Sequence, residues 1–190
     1  MKFIKVLALL WPVIFFSQNN IDDLLTSESE LAKKILSQKI NVNTINYDLK
    51  YHKLDLNLDP DEAFISGTIT SHFLALDDLT QITFDLSDNM QVENVTHLST
   101  NTNLNYTQNS DDELVIELSQ LQGQGTLDSL SVTYSGNPVS SGFGSFEQSY
   151  HNGDPIVWTL SEPYGAKGWW PCKQDLNDKI DSIDVYINTP

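Results

Sequence analysis

The chain alternates apolar and polar residues most regularly over residues 47–73, which read YDLKYHKLDLNLDPDEAFISGTITSHF. Apolar residues at every second position are typical of strands that bury one face. The alternation slips once near Lys53, which predicts a β-bulge or a bend at that point. Because the turn signal Asp59-Pro60-Asp61 divides the stretch, the pattern predicts two long consecutive strands.

Strand-like segments continue through the rest of the chain, and most are bounded by clusters of Asn, Asp, Ser or Gly. They occupy residues 81–86, 91–98, 104–107, 113–118, 127–134, 156–160 and 183–188. The Gly-, Ser- and Asn-rich residues 138–155 predict an irregular loop that carries aromatic side chains. Since no long helical period follows residue 46, we predict an all-β domain, either a sandwich or an open curved sheet.

The first 17 residues have the organisation of a secretory signal peptide. Lys2 and Lys5 precede an apolar run that ends before the small residue Ser17. The apolar run is too short to cross a bilayer, which takes about 20 residues. A buried first strand is the alternative interpretation. We expect the mature chain to be secreted, outside the cell or in a periplasm, and not to span a membrane.

Residues 18–45 are predicted to form a lead-in segment with one short helix. Ser27 and Glu30 have the spacing of a capping box, and apolar residues at helical spacing follow as far as about residue 38. This segment shows no chemistry of its own. The domain itself is therefore predicted over residues 46–190.

Charge and cysteine content exclude several classes of function. The 190 residues include 26 acidic and 10 basic side chains, which gives a formal charge of −16. Such a chain repels phosphate backbones and anionic lipid surfaces, so nucleic-acid binding is excluded. The single cysteine, Cys172, cannot form an internal disulfide. The neighbouring Lys173 could lower the thiol pKa, but a small packed hydrophobe is the favoured interpretation.

Residue spacing does not predict a metal site or a complete active site. The sequence has no His-Glu-x-x-His and no Cys-x-x-Cys, so no zinc site is proposed. Asp55, Asn57 and Asp59 alternate with Leu, which favours a solvated strand face over a calcium loop, and Pro60 stands where an EF-hand needs Gly. A second acidic cluster is interpreted as a solvated turn, with weak calcium binding as the alternative; it comprises Asp175, Asn177, Asp178, Asp181 and Asp184. The sequence contains no Gly-x-Ser-x-Gly elbow, and its many carboxylates cannot be paired without geometry.

The most distinctive part of the sequence is residues 159–190, which read TLSEPYGAKGWWPCKQDLNDKIDSIDVYINTP. It resembles the end of the N-terminal domain of the M1 family of zinc aminopeptidases (aminopeptidase N and its relatives). The residues that match in order and approximate spacing are Thr159, Glu162, Ala166, Pro171, Cys172, Lys179 and Pro190. The start at Tyr47 and the Ser66-Gly67-Thr68 sequence are also similar to that family.

This resemblance implies a curved, saddle-like β domain that packs against a thermolysin-like catalytic domain. The zinc site of the family and its Gly-x-Met-Glu-Asn amine-binding motif belong to that catalytic domain, and neither motif is present in this sequence. The chain is therefore interpreted as the N-terminal part of a secreted M1-type peptidase, inactive alone. Zinc is implied for the missing domain, and peptides are the implied substrates.

One site residue follows from the resemblance. Glu162 matches the carboxylate that helps to bind the free α-amino group of the substrate, and a simple turn-capping role is the alternative. Departures from the family pattern leave the substrate preference open: Leu160 replaces Gln and Lys167 replaces Arg, which are not equivalent at a bidentate site. Gln174-Asp175-Leu176 replaces the common Asp-Glu-Pro. Trp169 and Trp170 are expected to pack in the core or against the missing domain.

A stand-alone secreted β-sandwich that binds glycan or peptide is the competing interpretation. It would use exposed aromatic rings for stacking. The candidate rings are Trp158, Trp169, Trp170, Phe143 and Phe146. A self-contained hydrolase with dispersed carboxylates has no support in the spacing.

Overall fold

A computed structural model describes residues 41–141 and 144–190, together with Ser29. The predicted signal peptide lies outside these residues, and so does the predicted helix over residues 27–38, apart from Ser29. The described residues form eleven strands: β1 (Tyr47–Leu58), β2 (Ile65–Ala75), β3 (Leu79–Asp85), β4 (Met90–His97), β5 (Thr102–Asn103), β6 (Tyr106–Gln108), β7 (Glu113–Gln122), β8 (Leu127–Gly136), β9 (Glu147–His151), β10 (Asp154–Trp158) and β11 (Ser182–Asn188). Two short 3-10 turns accompany them, Val42–Thr44 and Ala166–Gly168. None of the helical segments in this described part has the length and apolarity of a membrane span.

The strands form three sheets. A six-stranded sheet has the order β11-β1-β2-β8-β4-β5, a three-stranded sheet has the order β3-β7-β6, and β9 pairs with β10. Within the large sheet, β11 runs parallel to β1, and the other pairs are antiparallel. The prediction of an all-β fold is therefore confirmed.

The core lies between the six-stranded and three-stranded sheets. Tyr47 and Phe73 contribute buried rings from β1 and β2, with centroids 6.0 Å apart, and Phe84 of β3 packs 5.8 Å from the Tyr47 ring. The hydroxyl of Tyr47 donates a hydrogen bond to the carbonyl oxygen of Thr83 at 2.8 Å. This satisfied polar group lets a tyrosine occupy a fully buried position and ties the two sheets together.

The predicted irregularity in β1 exists, but at a different residue. The pairing register with β2 shifts between Leu49 and Tyr51, and the position predicted near Lys53 is wrong. The pattern misled because Tyr51 was counted as an inward residue. His52 instead is buried in phase with Leu54, so the extra residue falls earlier in the strand.

The predicted loop over residues 138–155 contains a strand. β9 and β10 form a hairpin whose turn is Asn152-Gly153, with φ of 55° and 96°. Positive φ at both central residues is the requirement of a tight hairpin turn, and Asn-Gly meets it with little strain. The hairpin places β10 directly before residues 159–172, which carry the candidate site.

Candidate functional site

The candidate site is a compact turn over residues 159–172, which we call the Glu162 turn. It leaves β10 and is closed by its own backbone hydrogen bonds. The amide of Gly165 donates to the carbonyl oxygen of Ser161 at 2.7 Å, and the amide of Trp169 donates to that of Ala166 at 3.1 Å. The peptide bond between Glu162 and Pro163 is cis. The tight turn aims the Glu162 side chain away from the core, into solvent.

Two serines fix this turn to the interior. The hydroxyl of Ser161 donates to the carbonyl oxygen of Ser145 at 3.0 Å and accepts from the indole N–H of Trp169 at 2.9 Å. Ser145 is fully buried. Gly165 approaches it so closely that a Cβ on Gly165 would lie 2.4 Å from the Ser145 Cβ. Only glycine fits at this contact, so the position of the turn is set by packing against a buried residue.

Trp169 and Trp170 pack against the core, as expected. The Trp169 ring lies 5.7 Å from that of Phe146, which is buried, and 5.9 Å from that of Trp170. The Trp170 ring meets His52 edge-on at 5.0 Å. These contacts remove three of the rings proposed for a glycan-stacking surface. Trp158 is exposed, and Phe143 lies outside the described residues.

Cys172 is a buried structural residue. Its backbone forms a two-way bridge with Asp85, with N···O distances of 3.0 and 2.7 Å. Burial first, and then the charge of Asp85, hold the pKa of the thiol well above its usual range. The suggestion that Lys173 lowers this pKa is therefore wrong. The ammonium of Lys173 binds the carbonyl oxygen of Tyr47 at 2.6 Å and the carboxylate of Asp178 instead.

Glu162 is exposed and lies at the tip of the anchored turn. Its carboxylate makes no hydrogen bond or ion pair with any residue that the structure describes. Three exposed apolar side chains precede it at alternate positions, Ile156, Trp158 and Leu160. The arrangement therefore offers an uncommitted carboxylate beside an apolar surface, which suits a ligand that carries an ammonium group next to a hydrophobic side chain.

Other residues that the resemblance singled out lie within or near the turn. Lys167, which stands where the family has Arg, forms an ion pair with Asp112 at 2.7 Å. Its backbone carbonyl also accepts a hydrogen bond from the amide of Ser87 at 2.9 Å. Pro171 is buried beside Cys172, whereas Lys179 is exposed. Lys167 therefore connects the turn to the loops beside the three-stranded sheet.

The acidic clusters do not converge on a common point. Asp55 lies on β1, which confirms the strand interpretation of the first cluster. In the second, Asp178 pairs with Lys173, and Asp184 accepts a hydrogen bond from the Tyr51 hydroxyl at 3.0 Å. Across residues 41–141 and 144–190, no group of three or more His, Cys, Asp or Glu side chains is placed to hold a metal ion.

The histidines likewise do not fit a zinc site. Nδ1 of His52 lies 3.0 Å from the Ser71 hydroxyl. His97 pairs with Asp128 near the opposite edge of the large sheet. His72 packs against a tyrosine ring on β1. Since these imidazoles have separate partners, the histidines do not form the ligand set that the zinc implied by the resemblance would need.

Sequence reasoning missed the residues that anchor the turn. Ser145 sits in a Gly- and Ser-rich segment, a composition typical of exposed loops, yet it is fully buried. Gly144, with φ of 98°, lies against the Trp158 ring and accepts a hydrogen bond from the Leu160 amide at 2.9 Å. No local pattern distinguishes these two residues from ordinary loop residues, because their roles depend on contacts distant in sequence.

The sheets and the Glu162 turn together define an all-β domain of the type found at the N-terminus of M1 peptidases. The sequence profile of the Peptidase M1 N-terminal domain matches residues 44–176, and the chain belongs to this family. No curated protein matches the chain significantly.

Solved structures show the same fold. An M1 zinc metallopeptidase from Deinococcus radiodurans matches with a TM-score of 0.66 and 23% identity, over 78% of this chain and 33% of that one. A two-domain M1 zinc metallopeptidase bound to L-arginine has the same score and identity, over 34% of its length. Leukotriene A4 hydrolase from Saccharomyces cerevisiae matches with a TM-score of 0.62 and 15% identity, over 85% of this chain and 27% of that one. The chain thus spans about a third or less of these relatives.

Proposed function

We propose that this chain is the N-terminal domain of a secreted M1-type zinc metallopeptidase that releases N-terminal amino acids from peptides. In this proposal the domain supports a catalytic domain and contributes Glu162 to recognition of the substrate α-amine. Secretion rests on the signal-like residues 1–17. The observation that carries the proposal is the exposed Glu162 carboxylate, which has no partner among residues 41–141 and 144–190 and lies on a turn anchored to the core.

A carboxylate in this position suits an α-ammonium group. An ionised carboxylate and an ammonium form charge-assisted hydrogen bonds, which are about twice as strong as neutral ones. Because Ser161 and Gly165 fix the turn before any ligand arrives, the backbone of the turn loses little conformational entropy on binding. The exposed side chains of Trp158 and Leu160 offer an apolar surface for the first side chain of a peptide.

A second feature supports a neighbouring domain. Ile183, Val185 and Ile187, which we call the β11 row, pair in register with the buried residues His52, Leu54 and Leu56 of β1. Residues opposite one another in a sheet share a face, so the β11 row lies on the core side of the large sheet. Each of its side chains is nevertheless about half exposed, at 46%, 51% and 55%. An apolar row on the core side of a sheet is the kind of surface that a further layer covers.

The zinc of such an enzyme would be held outside this domain, where it would activate water and polarise the scissile carbonyl. The part of this chain is limited to binding and orientation. Glu162 would hold the substrate ammonium, and the anchored turn would fix the distance between that ammonium and the reacting bond. Removal of the carboxylate should therefore weaken substrate binding more than it slows the chemical step.

The experiment begins with the coding sequence that follows the codon for Pro190. His-Glu-x-x-His and Gly-x-Met-Glu-Asn motifs encoded there are the expected result. The extended protein is then expressed with zinc, and hydrolysis of L-leucine 4-nitroanilide is compared for the wild type, Glu162→Gln and Glu117→Gln. We expect Glu162→Gln to raise KM by about 10-fold, because the amide oxygen still accepts a hydrogen bond from the ammonium but no longer carries a charge.

Glu117 is the matched control because it is an exposed carboxylate on β7 of the three-stranded sheet, outside the Glu162 turn. Glu117→Gln should leave KM unchanged. Equal KM values for Glu162→Gln and the wild type would exclude Glu162 from amine binding. A coding sequence without either motif would instead overturn the assignment to a peptidase.

A further inference from the structure

A second cluster of reactive side chains lies at the tip of the β4–β5 hairpin. The imidazole of His97 has its Nε2 atom 2.7 and 2.9 Å from the two carboxylate oxygens of Asp128. Its Nδ1 atom lies 3.0 Å from the hydroxyl oxygen of Thr100. His97 and Asp128 are buried, at 2% and 8% exposure, whereas Thr100 is exposed. The hydroxyl of an exposed threonine is therefore connected through a buried imidazole to a buried carboxylate.

The partners of the His97 ring indicate which nitrogen carries the hydrogen in its neutral form. A carboxylate accepts hydrogen bonds, so we assign the hydrogen to Nε2, which then donates to Asp128. Nδ1 then has a free lone pair and accepts the hydrogen bond from the Thr100 hydroxyl. The single hydrogen of the Thr100 hydroxyl is then used, so the Thr102 hydroxyl, 2.8 Å away, donates to the Thr100 oxygen. The backbone amide of Ser129 also donates to Asp128 at 2.8 Å, which fixes the carboxylate.

We propose that Thr100 is an acyl-accepting hydroxyl that takes an acyl group from activated esters, with His97 as its general base and Asp128 as the residue that positions the base. In this step the Thr100 oxygen forms a bond to the acyl carbon, and its proton moves to Nδ1 of His97. The bond between the acyl carbon and the leaving group breaks, and the leaving group takes the bonding electrons and then the proton from Nδ1. The products are an O-acyl threonine and the free leaving group.

This inference is independent of the peptidase proposal. β4 and β5 lie at the edge of the six-stranded sheet opposite β11, and the cluster shares no residue with the Glu162 turn. A hydroxyl, an imidazole and a carboxylate in hydrogen-bonded sequence form the arrangement that activates weak nucleophiles in acyl transfer. Here the base uses Nδ1 towards the hydroxyl and Nε2 towards the carboxylate.

The test uses the full 190-residue chain and 4-nitrophenyl acetate as the acyl donor. After a short incubation, peptide mass spectrometry measures acetylation at each threonine. Thr80 and Thr107 are internal controls because both are exposed threonines on other strands. We expect acetylation at Thr100 to exceed that at the controls by about 100-fold, the usual contribution of a positioned general base. Equal acetylation of all three threonines would overturn the proposal without any variant.

Variants then separate activation from a structural role of the cluster. Thr100→Val should abolish the adduct, and Thr100→Ser should restore it. Ser99→Ala should leave the rate unchanged, although the Ser99 hydroxyl lies 3.0 Å from the same Nε2 atom. His97→Gln and Asp128→Asn should both lower acetylation to the level of Thr80. Because buried variants can fail to fold, nitrogen NMR of the wild-type ring gives a second readout, and a hydrogen on Nδ1 of the neutral ring would contradict the assigned base.

Discussion

β2 and β11 belong to the same sheet and have similar alternating sequences, yet their environments are opposite. Every second residue of β2 is buried, from Ile65 to Ala75. All seven residues of β11 are exposed. β2 lies between β1 and β8 in the middle of the sheet, whereas β11 lies at its edge with a single neighbour. The alternation therefore identifies both segments as strands, but it does not tell which of them is covered.

The difference has a simple physical cause. Strand pairing is satisfied by one neighbour, so an edge strand forms without a covering layer. Burial of its side chains requires a second layer above them, and in this domain the buried side chains of β2 share one core cluster with those of β3 and β7. The stability of the domain is thus expected to depend on the middle of the sheet, whereas the edge strand is available to another layer.

The largest effect should follow from truncation of a central ring. Phe73→Ala on β2 removes a fully buried phenyl ring that packs against Tyr47. We expect the free energy of unfolding to fall by about 3–5 kcal/mol, from lost burial and the cavity left behind. Urea denaturation followed by tryptophan fluorescence measures this change. Ile187→Ala on β11 is the comparison variant, and a loss as large as that of Phe73→Ala would show that the edge strand is not peripheral.

An intermediate effect concerns His52, which lies on β1 between the two strands. It pairs with Ser71 of β2 on one side and with Ile183 of β11 on the other. Burial lowers the pKa of its imidazole from 6.5 to about 4, and its Nε2 atom has no hydrogen-bond partner among the described residues. The unfolded chain therefore binds a proton more readily than the folded chain.

The sign of the pH dependence follows from this lowered pKa. The contribution of His52 to stability is fully present above pH 6.5 and is lost as the pH falls towards 4. We expect the free energy of unfolding to fall by about 2 kcal/mol between pH 7 and pH 5 because of His52. Urea titrations at both pH values measure this loss of stability. His52→Gln should largely abolish the loss, even if the substitution itself changes the stability at pH 7. His72→Gln, on the half-buried side of β2, should keep the wild-type dependence, and an unchanged loss in His52→Gln would contradict the assignment.

The sequence predicted much of the fold because the alternation of β1 and β2 reflects burial directly. It placed the bulge of β1 wrongly, since a tyrosine was taken as an inward residue where the buried side chain is His52. It also missed β9, although Asn152-Gly153 is a strong hairpin signal. Histidine and asparagine are polar, so a search for alternating apolar residues identifies neither the buried position of His52 nor the turn position of Asn152.

The candidate site was predictable only in part. Glu162 was predicted from the resemblance of residues 159–190 to M1 peptidases, and its role stays a prediction. The structure shows that its turn is anchored. The anchors themselves, Ser145 and Gly165, were not identified, because a hydroxyl in a loop reveals its partner only in three dimensions. The Thr100 cluster was not predicted from the sequence, for a related reason. Asp128 is distant from His97 in sequence, and only the pairing of β4 with β8 brings them together.

The smallest effect on the isolated chain should come from the β11 row. Val185→Lys places a charged group where the side chain is about half exposed, so the ammonium can remain in water while its stem lies along the sheet. We expect the free energy of unfolding to change by less than about 0.5 kcal/mol, as for most surface substitutions. Ile69→Lys, at a fully buried position of β2, should prevent folding because it buries an unpaired charge.

Val185→Lys also tests whether another domain covers the β11 row. If a catalytic domain covers the β11 row in an extended enzyme, Val185→Lys buries its ammonium beneath that domain. The variant should then lower the thermal stability of the extended enzyme, whereas the 190-residue chain should fold as before. Thermal inactivation of the extended enzyme measures this effect, with Thr107→Lys on β6 as the exposed control. A loss of more than about 2 kcal/mol in the isolated chain would mean that the row is already covered there. Equal inactivation of Val185→Lys, Thr107→Lys and wild type would mean that the second domain binds elsewhere, since a buried unpaired ammonium costs several kcal/mol.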